Sequence, residues 1–269
     1  WRPWDVNAGE FGFMITALDD FKTSINSVSE PEGYSEEALD EICESLYKSD
    51  PNSDESANET DAGTNEIADL PDIILILNET FCDIGIYTEI HADTDYMADF
   101  YGIDGAVYGY AVTPSAGGGT NNSEYELLMS KSMYLMNAAA PFTYLDSALL
   151  GRSVVSYLEK LGYETRGLHC GGERNYSRNT AYPAIGFDEI YLGADRFSYI
   201  GKNGNRSWLD SDNYRDLEDI LAESGDAPQF SFLLTFQNHG GFEQNDSALD
   251  TVHVTDDFGD LTDDVEEYL

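Results

Sequence analysis

A hydroxyl residue closes a run of three glycines in Ala116-Gly-Gly-Gly-Thr120, and a helix-like stretch containing Leu127 and Leu128 follows it. Glycines let the backbone approach a ligand closely, and Thr120 is expected at the N-cap of that helix. A hydroxyl at the positive end of a helix can bind phosphate oxygens and favours its alkoxide form, above all beside a metal ion. The pattern predicts a nucleophilic threonine, although simple helix capping explains it equally well. No Lys follows the last glycine, so this is not a P-loop.

A glutamate follows an apolar run in a second motif, Asn78-Glu79-Thr80, which comes directly after residues 73–77. In open α/β sheets ligands gather at the carboxyl ends of strands, and carboxylates suit divalent cations. Glu79 is therefore the first candidate for a metal ligand. Taken alone, this motif fits a solvent-facing glutamate at a strand end at least as well.

Two of the four histidines also follow predicted strands. His169 begins the segment His169-Cys-Gly-Gly-Glu-Arg-Asn-Tyr-Ser-Arg178, and His239 lies in Thr235-Phe-Gln-Asn-His239-Gly-Gly-Phe. His169, Tyr176 and Arg178 could supply a hydrogen-bonding imidazole, a ring to pack on a small polyol and a guanidinium fork for phosphate oxygens. A single histidine at a strand end is as often structural as catalytic. The other two, His91 and His253, are predicted to be surface residues.

The elements that position these residues follow a βαβ pattern. The continuous apolar run at 73–77 predicts a strand covered on both faces, and a mostly parallel central sheet begins with it. Strand-like and helix-like stretches then alternate, which predicts an α/β fold with helices flanking the sheet. The predicted elements are a helix at about 144–161, a strand at 164–169, a helix at 212–224, a strand at 230–236 and the start of a helix at 261–269.

The first 70 residues differ in composition from the rest. Apolar periodicity predicts helices at 13–25 and 35–47, whereas residues 49–65 are mainly Ser, Asn, Asp and Glu and predict a solvated linker. We therefore divide the chain into an N-terminal helical arm with an acidic linker, 1–70, and a catalytic domain, 71–269. Because the chain opens without Met, we expect it to be a segment of something longer.

Composition limits the partners. The formal charge is -39, with 52 acidic and 13 basic residues, which argues against nucleic acid and against a general attraction to anionic membranes. Eight of the basic residues fall between positions 152 and 206, where a local anion site is possible, although most are expected to be solvated surface cations.

No apolar run is long enough for a membrane span and no signal peptide is recognised, so any anchor is expected outside this chain. The three cysteines allow at most one disulfide, and buried thiols are expected.

Together and in this order, the four motifs resemble the lipoteichoic acid synthase family, a branch of the alkaline-phosphatase and sulfatase superfamily. The resemblance covers about residues 71–245, and its most specific parts are GGGTNNSEYELL and QNHGGF. It implies a sulfatase-like α/β fold at the extracellular face of the bacterial cell membrane. The resemblance further implies that Glu79 and Thr120 bind Mn²⁺ or Mg²⁺ and that Thr120 is the nucleophile. It places His169, Tyr176, Arg178 and His239 in the substrate pocket, where Tyr176 replaces the Trp or Phe often found in the family.

The implied reaction is transfer of glycerophosphate from a phosphatidylglycerol-like lipid to a polyol or polymer through a phospho-threonine intermediate. The implied partners are an anionic glycerolipid, a glycerophosphate polymer and, through segments outside this chain, the membrane. Two alternatives stay open: a phosphodiester or sulfate ester hydrolase of the same superfamily, and a non-catalytic ectodomain that binds the polymer. The sulfatase variant is disfavoured because no cysteine lies in a C/S-x-P-x-R setting.

One family feature is missing. The family completes its metal site with an adjacent Asp-His pair after the QNHG segment, and this chain contains no Asp-His dipeptide. Either the chain stops before the pair, which we prefer, or the protein has lost it. We expect this chain alone to bind metal weakly and to be inactive.

Overall fold

A computed structural model describes most of the chain from Leu70 onward. The described residues are 35, 70–114, 119–133, 140–144, 150, 152–199, 209–237, 239 and 252–269. The predicted helix at 13–25, the predicted helix at 35–47 apart from Ser35, and the predicted linker at 49–65 lie outside them.

Four parallel strands form the central sheet, as predicted. They are β1 (Ile73–Leu77), β2 (Glu164–His169), β3 (Glu189–Leu192) and β4 (Gln229–Leu234), arranged in the order β1-β4-β2-β3. Strand β3 was not predicted. Because all four strands run in the same direction, their carboxyl ends lie at one edge of the sheet, where ligands bind in such folds.

Helices surround this sheet. The described α-helices are α1 (Ala98–Tyr101), α2 (Thr120–Met129), α3 (Pro141–Tyr144), α4 (Val154–Lys160), α5 (Arg178–Ile185), α6 (Asp210–Ala222) and α7 (Thr262–Tyr268). Short 3₁₀ helices occupy Ile84–Ile86, Asn175–Ser177, Ala194–Arg196 and Gly259–Leu261. The expected helix at 212–224 is α6, and the expected helical end of the chain is α7.

The helix predicted at 144–161 is shorter than expected. Helix α4 begins at Val154 because Ser153 is an extended N-cap whose hydroxyl accepts a hydrogen bond from the Ser156 amide. The Ser156 hydroxyl in turn accepts one from the Ser153 amide, which completes a capping box. Tyr144 belongs instead to the separate helix α3.

Strand β1 is not covered on both faces, contrary to expectation. Ile73, Leu75 and Leu77 pack against the core, whereas Ile74 is 49% exposed and Ile76 is 40% exposed. The physical reason is that the apolar cluster on the other face, which contains Leu217 of α6, includes no residue of β1. A continuous apolar run does not distinguish such a strand from a central one.

The core divides into two apolar clusters, one on each face of the sheet. Along β4, Phe232 joins the cluster that contains Leu128 of α2 and Ile185 of α5, whereas Leu233 joins the cluster that contains Leu217 of α6. Successive strand residues point to opposite faces, so α2 and α5 cover one face and α6 covers the other. This is the layered α/β architecture predicted from the sequence.

The cysteines and the basic residues confirm the sequence expectations in part. Cys170 is a free, buried thiol whose pKa burial raises to about 12, whereas Cys82 is free and exposed, so the expectation of buried thiols is wrong for Cys82. Cys43 lies outside the described residues.

Most of the described cations between 152 and 199 are exposed, as expected, but Arg166 and Arg178 are buried. Among the helices in the described part of the chain, none is both long enough and apolar enough to cross a membrane.

Candidate functional site

Glu79 and Thr120 are in direct contact at the carboxyl edge of the sheet. Glu79 is buried just beyond β1, and the Thr120 hydroxyl donates to its carboxylate, 2.8 Å from Oε1 and 3.0 Å from Oε2. The expected N-cap role of Thr120 is wrong, because Gly119 is the N-cap and Thr120 is the first helical residue of α2. Gly119 has φ 74°, a left-handed conformation that glycine adopts without strain. The hydroxyl therefore bonds to Glu79, and no side-chain cap is made.

The backbone around Glu79 is fixed from the neighbouring strand. The Glu79 amide donates to the Thr235 hydroxyl over 3.1 Å, and the Thr235 amide donates to the Leu77 carbonyl over 3.1 Å. On the other side, the Thr80 hydroxyl donates to Glu79 Oε1 over 3.2 Å. Thr80 has φ 55°, which is uncommon for a residue other than glycine. Glu79 thus has a defined position before any ligand binds.

His169 lies at the end of β2 with its ring buried. Its Nδ1 is 3.1 Å from the Leu234 carbonyl, which can only accept, so Nδ1 carries the proton and Nε2 keeps a lone pair. Burial, reinforced by the positive charge of Arg178, lowers the pKa of His169 to about 3. His169 is therefore neutral at physiological pH, and its Nε2 can accept a hydrogen bond from a hydroxyl group.

Arg178 is the first residue of α5 and is 2% exposed. Tyr176 and Ser177, the two residues before Arg178, have φ 52° and 58°. They form a left-handed turn directly before α5. The guanidinium carbon lies 5.3 Å from the centre of the Tyr176 ring, a cation–π distance. The positive charge of Arg178 also contributes to the lowered pKa of His169.

His239 is joined to this group through an aromatic ring. The Phe236 ring stacks on His239 with centroids 4.6 Å apart and lies 5.9 Å from the His169 ring. Ring contacts therefore link the predicted pocket residues in two groups, Tyr176 with Arg178 and His169 with His239 through Phe236. His91 and His253 are exposed, as predicted.

Sequence reasoning missed three residues beside this site. Glu124 is fully buried on α2 and pairs with Arg178, and the Tyr182 hydroxyl donates to Glu124. The signal for Glu124 was present, because it lies four residues after Thr120 and hence on the same side of a helix. Asp210, at the start of α6, has a buried Oδ1 without a hydrogen-bond partner, and its pKa is raised by burial and further by the negative charge of Glu79. Nothing in the sequence around Asp210 indicated this placement.

The donor atoms fit a hard divalent cation in part. Glu79 and Thr120 offer carboxylate and hydroxyl oxygens within 3.0 Å of each other, and oxygen ligands suit Mg²⁺ and Mn²⁺. Within the described ranges no group of three His, Cys, Asp or Glu side chains is arranged to hold a metal ion. Glu79 and Thr120 could thus offer two oxygen ligands to such an ion.

Comparison with known proteins places this geometry in a family. The model of the sulfatase family matches residues 71–269. A protein of Rhizobium meliloti (strain 1021), provisionally described as a cyclic beta-1,2-glucan modification protein, is 27% identical over 234 residues, which are 86% of this chain and 33% of that protein.

Two solved structures share the fold. The Streptococcus pyogenes phosphoglycerol transferase GacH, in complex with sn-glycerol-1-phosphate, matches with a TM-score of 0.67 and 21% identity, covering 89% of this chain and 62% of that one. The lipoteichoic acid synthase LtaP from Listeria monocytogenes matches with a TM-score of 0.55 and 19% identity, covering 74% of this chain and 49% of that one.

The chain thus spans one third of the length of its curated relative and about half to three fifths of the two structures. The predicted resemblance to the lipoteichoic acid synthases and the predicted sulfatase-like fold are both confirmed. With a family match over residues 71–269 and a parallel sheet that carries the site at its carboxyl edge, the chain belongs to the sulfatase family.

Proposed function

We propose that the protein transfers glycerophosphate from a phosphatidylglycerol-like lipid to a polyol or polymer acceptor, with Thr120 as the nucleophile. The observation that carries this proposal is the contact between the Thr120 hydroxyl and the Glu79 carboxylate at the carboxyl edge of the sheet. The fold shared with a phosphoglycerol transferase and a lipoteichoic acid synthase supports the choice of substrate class.

The reaction takes place in two displacements at phosphorus. The Thr120 hydroxyl loses its proton as its oxygen bonds to the phosphorus of the lipid, the bond from phosphorus to the diacylglycerol oxygen breaks, and that oxygen takes up a proton. A glycerophosphoryl group then remains on Thr120. An acceptor hydroxyl attacks the same phosphorus, loses its proton and releases the free Thr120 hydroxyl.

A divalent ion, Mn²⁺ or Mg²⁺, would be held by Glu79 and Thr120 together with further ligands. When bound, it would lower the pKa of the Thr120 hydroxyl and neutralise charge on the phosphoryl group. Glu79 keeps the hydroxyl oriented toward this position through the 2.8 Å hydrogen bond.

The remaining pocket residues hold the substrate. Arg178 donates to phosphate oxygens, which its planar fork of N–H groups suits, and the Tyr176 ring packs against the glycerol carbons. Neutral His169 accepts from a glycerol hydroxyl through Nε2, and the exposed His239 contacts the glycerol from the open side. The complex of the related transferase with sn-glycerol-1-phosphate supports a ligand of this size and charge.

The acceptor is a polyol or a polymer end. The description of the curated relative names a cyclic glucan, which supports a carbohydrate hydroxyl as one possible acceptor. Hydrolysis is the second candidate, because transfer and hydrolysis differ only in whether an acceptor hydroxyl or water reaches the phosphorylated threonine.

The proposed setting follows from the substrate. A glycerolipid donor and a cell-wall polymer place the domain at the extracellular face of the bacterial membrane, attached through segments outside this chain. Nucleic acid is not a proposed partner, since the net charge is -39. We also propose that residues 71–269 form the catalytic domain and residues 1–70 an arm and linker.

The test uses the full-length protein with phosphatidylglycerol in detergent micelles and measures released diacylglycerol. Thr120→Ala should abolish release, because the nucleophile is gone, and should unfold at nearly the same temperature as the wild type. The matched control, Thr143→Ala, removes an exposed hydroxyl on α3 and should keep full activity. Diacylglycerol release by the Thr120→Ala variant at the wild-type rate would exclude the proposed role. Adding glycerol as an acceptor distinguishes transfer, which yields a glycerophosphoglycerol, from hydrolysis, which yields free glycerophosphate.

A further inference from the structure

A buried ion pair lies behind the proposed phosphate-binding arginine. Glu124 is fully buried and Arg178 is 2% exposed. Arg178 Nε lies 3.2 and 3.1 Å from the two carboxylate oxygens of Glu124, and Nη2 lies 2.9 Å from Oε2. The Tyr182 hydroxyl, fully buried on α5, donates to Glu124 Oε1 at 2.5 Å. Both oxygens of this carboxylate therefore have partners.

Stability alone does not account for such a pair. Removing two charges from water is unfavourable, and buried ion pairs can often be replaced by apolar residues without loss of stability. A buried pair fixes the orientation of its members, however, because breaking it leaves one charge unpaired in the protein interior. For Arg178 the fixed property is the direction of its guanidinium plane.

Glu124 occupies one edge of the Arg178 guanidinium. An arginine has five N–H groups in a planar fork, and the bonds to Glu124 use Nε and Nη2. Nη1 takes no part in them. The Tyr176 ring, 5.3 Å from the guanidinium carbon, covers one face of the plane. Phosphate oxygens would meet the edge formed by Nη1 and the other N–H of Nη2, which offers two parallel donors.

The same helix connects this ion pair with the nucleophile. Thr120 and Glu124 are separated by four residues on α2, so their side chains lie on the same side of the helix about one turn apart. Thr120 contacts Glu79 and Glu124 contacts Arg178. The separation between the attacking hydroxyl and the arginine is thereby set by one rigid helical turn.

We propose that Glu124 is a positioning residue that, with Tyr182, orients Arg178 so that its remaining edge receives the phosphate oxygens of the diester beside Thr120. This inference rests on the proposed function, because it assigns the phosphate that Arg178 binds to the lipid substrate. Glu124 does not itself contact the substrate. Its effect is on the affinity for phosphate groups and not on the chemistry at Thr120.

The experiment measures binding of sn-glycerol 1-phosphate to the full-length protein by isothermal titration calorimetry, together with KM and kcat for phosphatidylglycerol. Glu124→Gln removes the charge that orients Arg178, and binding should weaken about tenfold or more. Tyr182→Phe keeps the ion pair and removes one hydrogen bond, so it should fold normally and weaken binding a few-fold. In both variants KM should rise while kcat changes little, and Glu124→Asp should restore part of the affinity.

The matched control is Glu189→Gln. Glu189 pairs with another buried arginine, Arg166, whose Nε lies 2.6 Å from Glu189 Oε2. Glu189 is the first residue of β3 and so lies at the amino ends of the strands, away from the candidate site. This variant should lower stability without changing phosphate affinity. A role of Glu124 in stability alone would make its variants behave in the same way.

The outcomes separate the two proposals. If the wild type turns over phosphatidylglycerol and both Glu124→Gln and Tyr182→Phe keep the wild-type affinity and KM, the positioning role is wrong and the proposed function stands. If Thr120→Ala retains turnover, the proposed function is wrong, and the loss of glycerol phosphate affinity in Tyr182→Phe still decides the positioning role. Absence of glycerol phosphate binding by the wild type would overturn the positioning role as well.

Discussion

Three residues other than glycine adopt left-handed backbone conformations directly beside the candidate site. Thr80 follows Glu79, and Tyr176 and Ser177 precede Arg178. Each such residue costs roughly 1–3 kcal/mol and persists only where the surrounding structure determines it. Here the hydrogen bond from the Glu79 amide to Thr235 and the ion pair of Arg178 with Glu124 provide that constraint. The strain therefore accompanies a site that is arranged before a ligand binds.

Gly171 lies so close to the His169 ring that adding one methyl group at position 171 should lower stability. A Cβ at position 171 would lie 2.4 Å from His169 Nε2 and 2.9 Å from Cε1, so Gly171→Ala must displace the imidazole from the Leu234 carbonyl. We expect a loss of about 1–3 kcal/mol in the free energy of unfolding, measured with urea, as for other overpacked sites.

The control for this prediction is Gly225→Ala. No atom lies within 4 Å of a Cβ at position 225, so the stability should change by less than about 0.5 kcal/mol. Equal stability of the two alanine variants would show that His169 can move without cost.

His169 also predicts a pH dependence of stability. Its pKa is about 3 in the folded protein, because of burial and the charge of Arg178, and near 6.5 in the unfolded chain. Below pH 6.5 the unfolded chain binds a proton that the folded protein does not, so stability falls as the pH is lowered from 6.5 toward 3. The contribution of this one group is roughly 1 kcal/mol per pH unit.

Other groups titrate in the same range, so the measurement is a difference between variants. The free energy of unfolding of His169→Gln should depend less steeply on pH between 6 and 4 than that of the wild type, whatever its absolute stability. A wild-type slope in His169→Gln would contradict the assignment of a neutral, buried imidazole.

At the scale of elements, helix α2 has the central position. Its first residue contacts the loop after β1, its fifth contacts the first residue of α5, and its apolar residues Tyr125 and Leu128 pack in the core. Weak amphipathic patterning made this helix hard to recognise beyond Leu127 and Leu128, because Asn121, Asn122 and Glu124 are buried polar residues. Polar residues are mostly exposed in proteins, so buried polar residues such as these point to a functional site.

Strands were more predictable from the sequence than helices. The bounds predicted at 73–77 and 164–169 are those observed for β1 and β2; the apolar run Ile-Ile-Leu-Ile-Leu indicated β1. Strand β3, with the sequence Glu-Ile-Tyr-Leu, was missed because four residues with a polar start carry too little pattern. Helix α5 was not predicted, because Pro183 lies inside it and a proline argues against a helix interior.

The capping box of α4, formed by Ser153 and Ser156, should contribute measurably to the free energy of unfolding. The Ser153 hydroxyl accepts from the Ser156 amide over 2.9 Å and donates to the Ile185 carbonyl of α5 over 2.6 Å. Ser153→Ala should cost about 1–2 kcal/mol of unfolding free energy, because it removes a cap and leaves a carbonyl unpaired. Ser156→Ala, which loses the reciprocal bond to the Ser153 amide, should cost less. The reverse order of these two losses, measured by chemical denaturation, would argue against this assignment.

At the scale of the whole molecule, the candidate site forms where three strands end. The order β1-β4-β2 brings Glu79, Thr235 and His169 side by side, although they are far apart in sequence. Motifs after predicted strands indicated Glu79, His169, Tyr176, Arg178 and His239, the glycine run before a helix indicated Thr120, and the family resemblance supplied their roles. It could not indicate Asp210 or the pairing of Glu124 with Arg178, because these depend on which helix packs on which face of the sheet.

Metal binding tests the completeness of the site in this chain. Glu79 and Thr120 would offer two oxygen ligands, fewer than Mg²⁺ or Mn²⁺ requires. In the part of the chain that the structure describes, no three acidic, His or Cys side chains form a metal cluster. The 269-residue chain should therefore bind Mn²⁺ with a dissociation constant weaker than about 0.1 mM. Calorimetry that shows tight, stoichiometric binding would mean that other residues complete the site.

The central claim is that Thr120 becomes covalently modified. Full-length protein mixed with phosphatidylglycerol, quenched in acid and digested, can be analysed by mass spectrometry for the peptide that contains Thr120. We predict a mass increase of one glycerophosphoryl group on Thr120, lost on addition of an acceptor polyol and absent from Thr120→Ala. Turnover of the lipid with the group found on another residue, or with no modified peptide under conditions that trap the intermediate, would contradict the account.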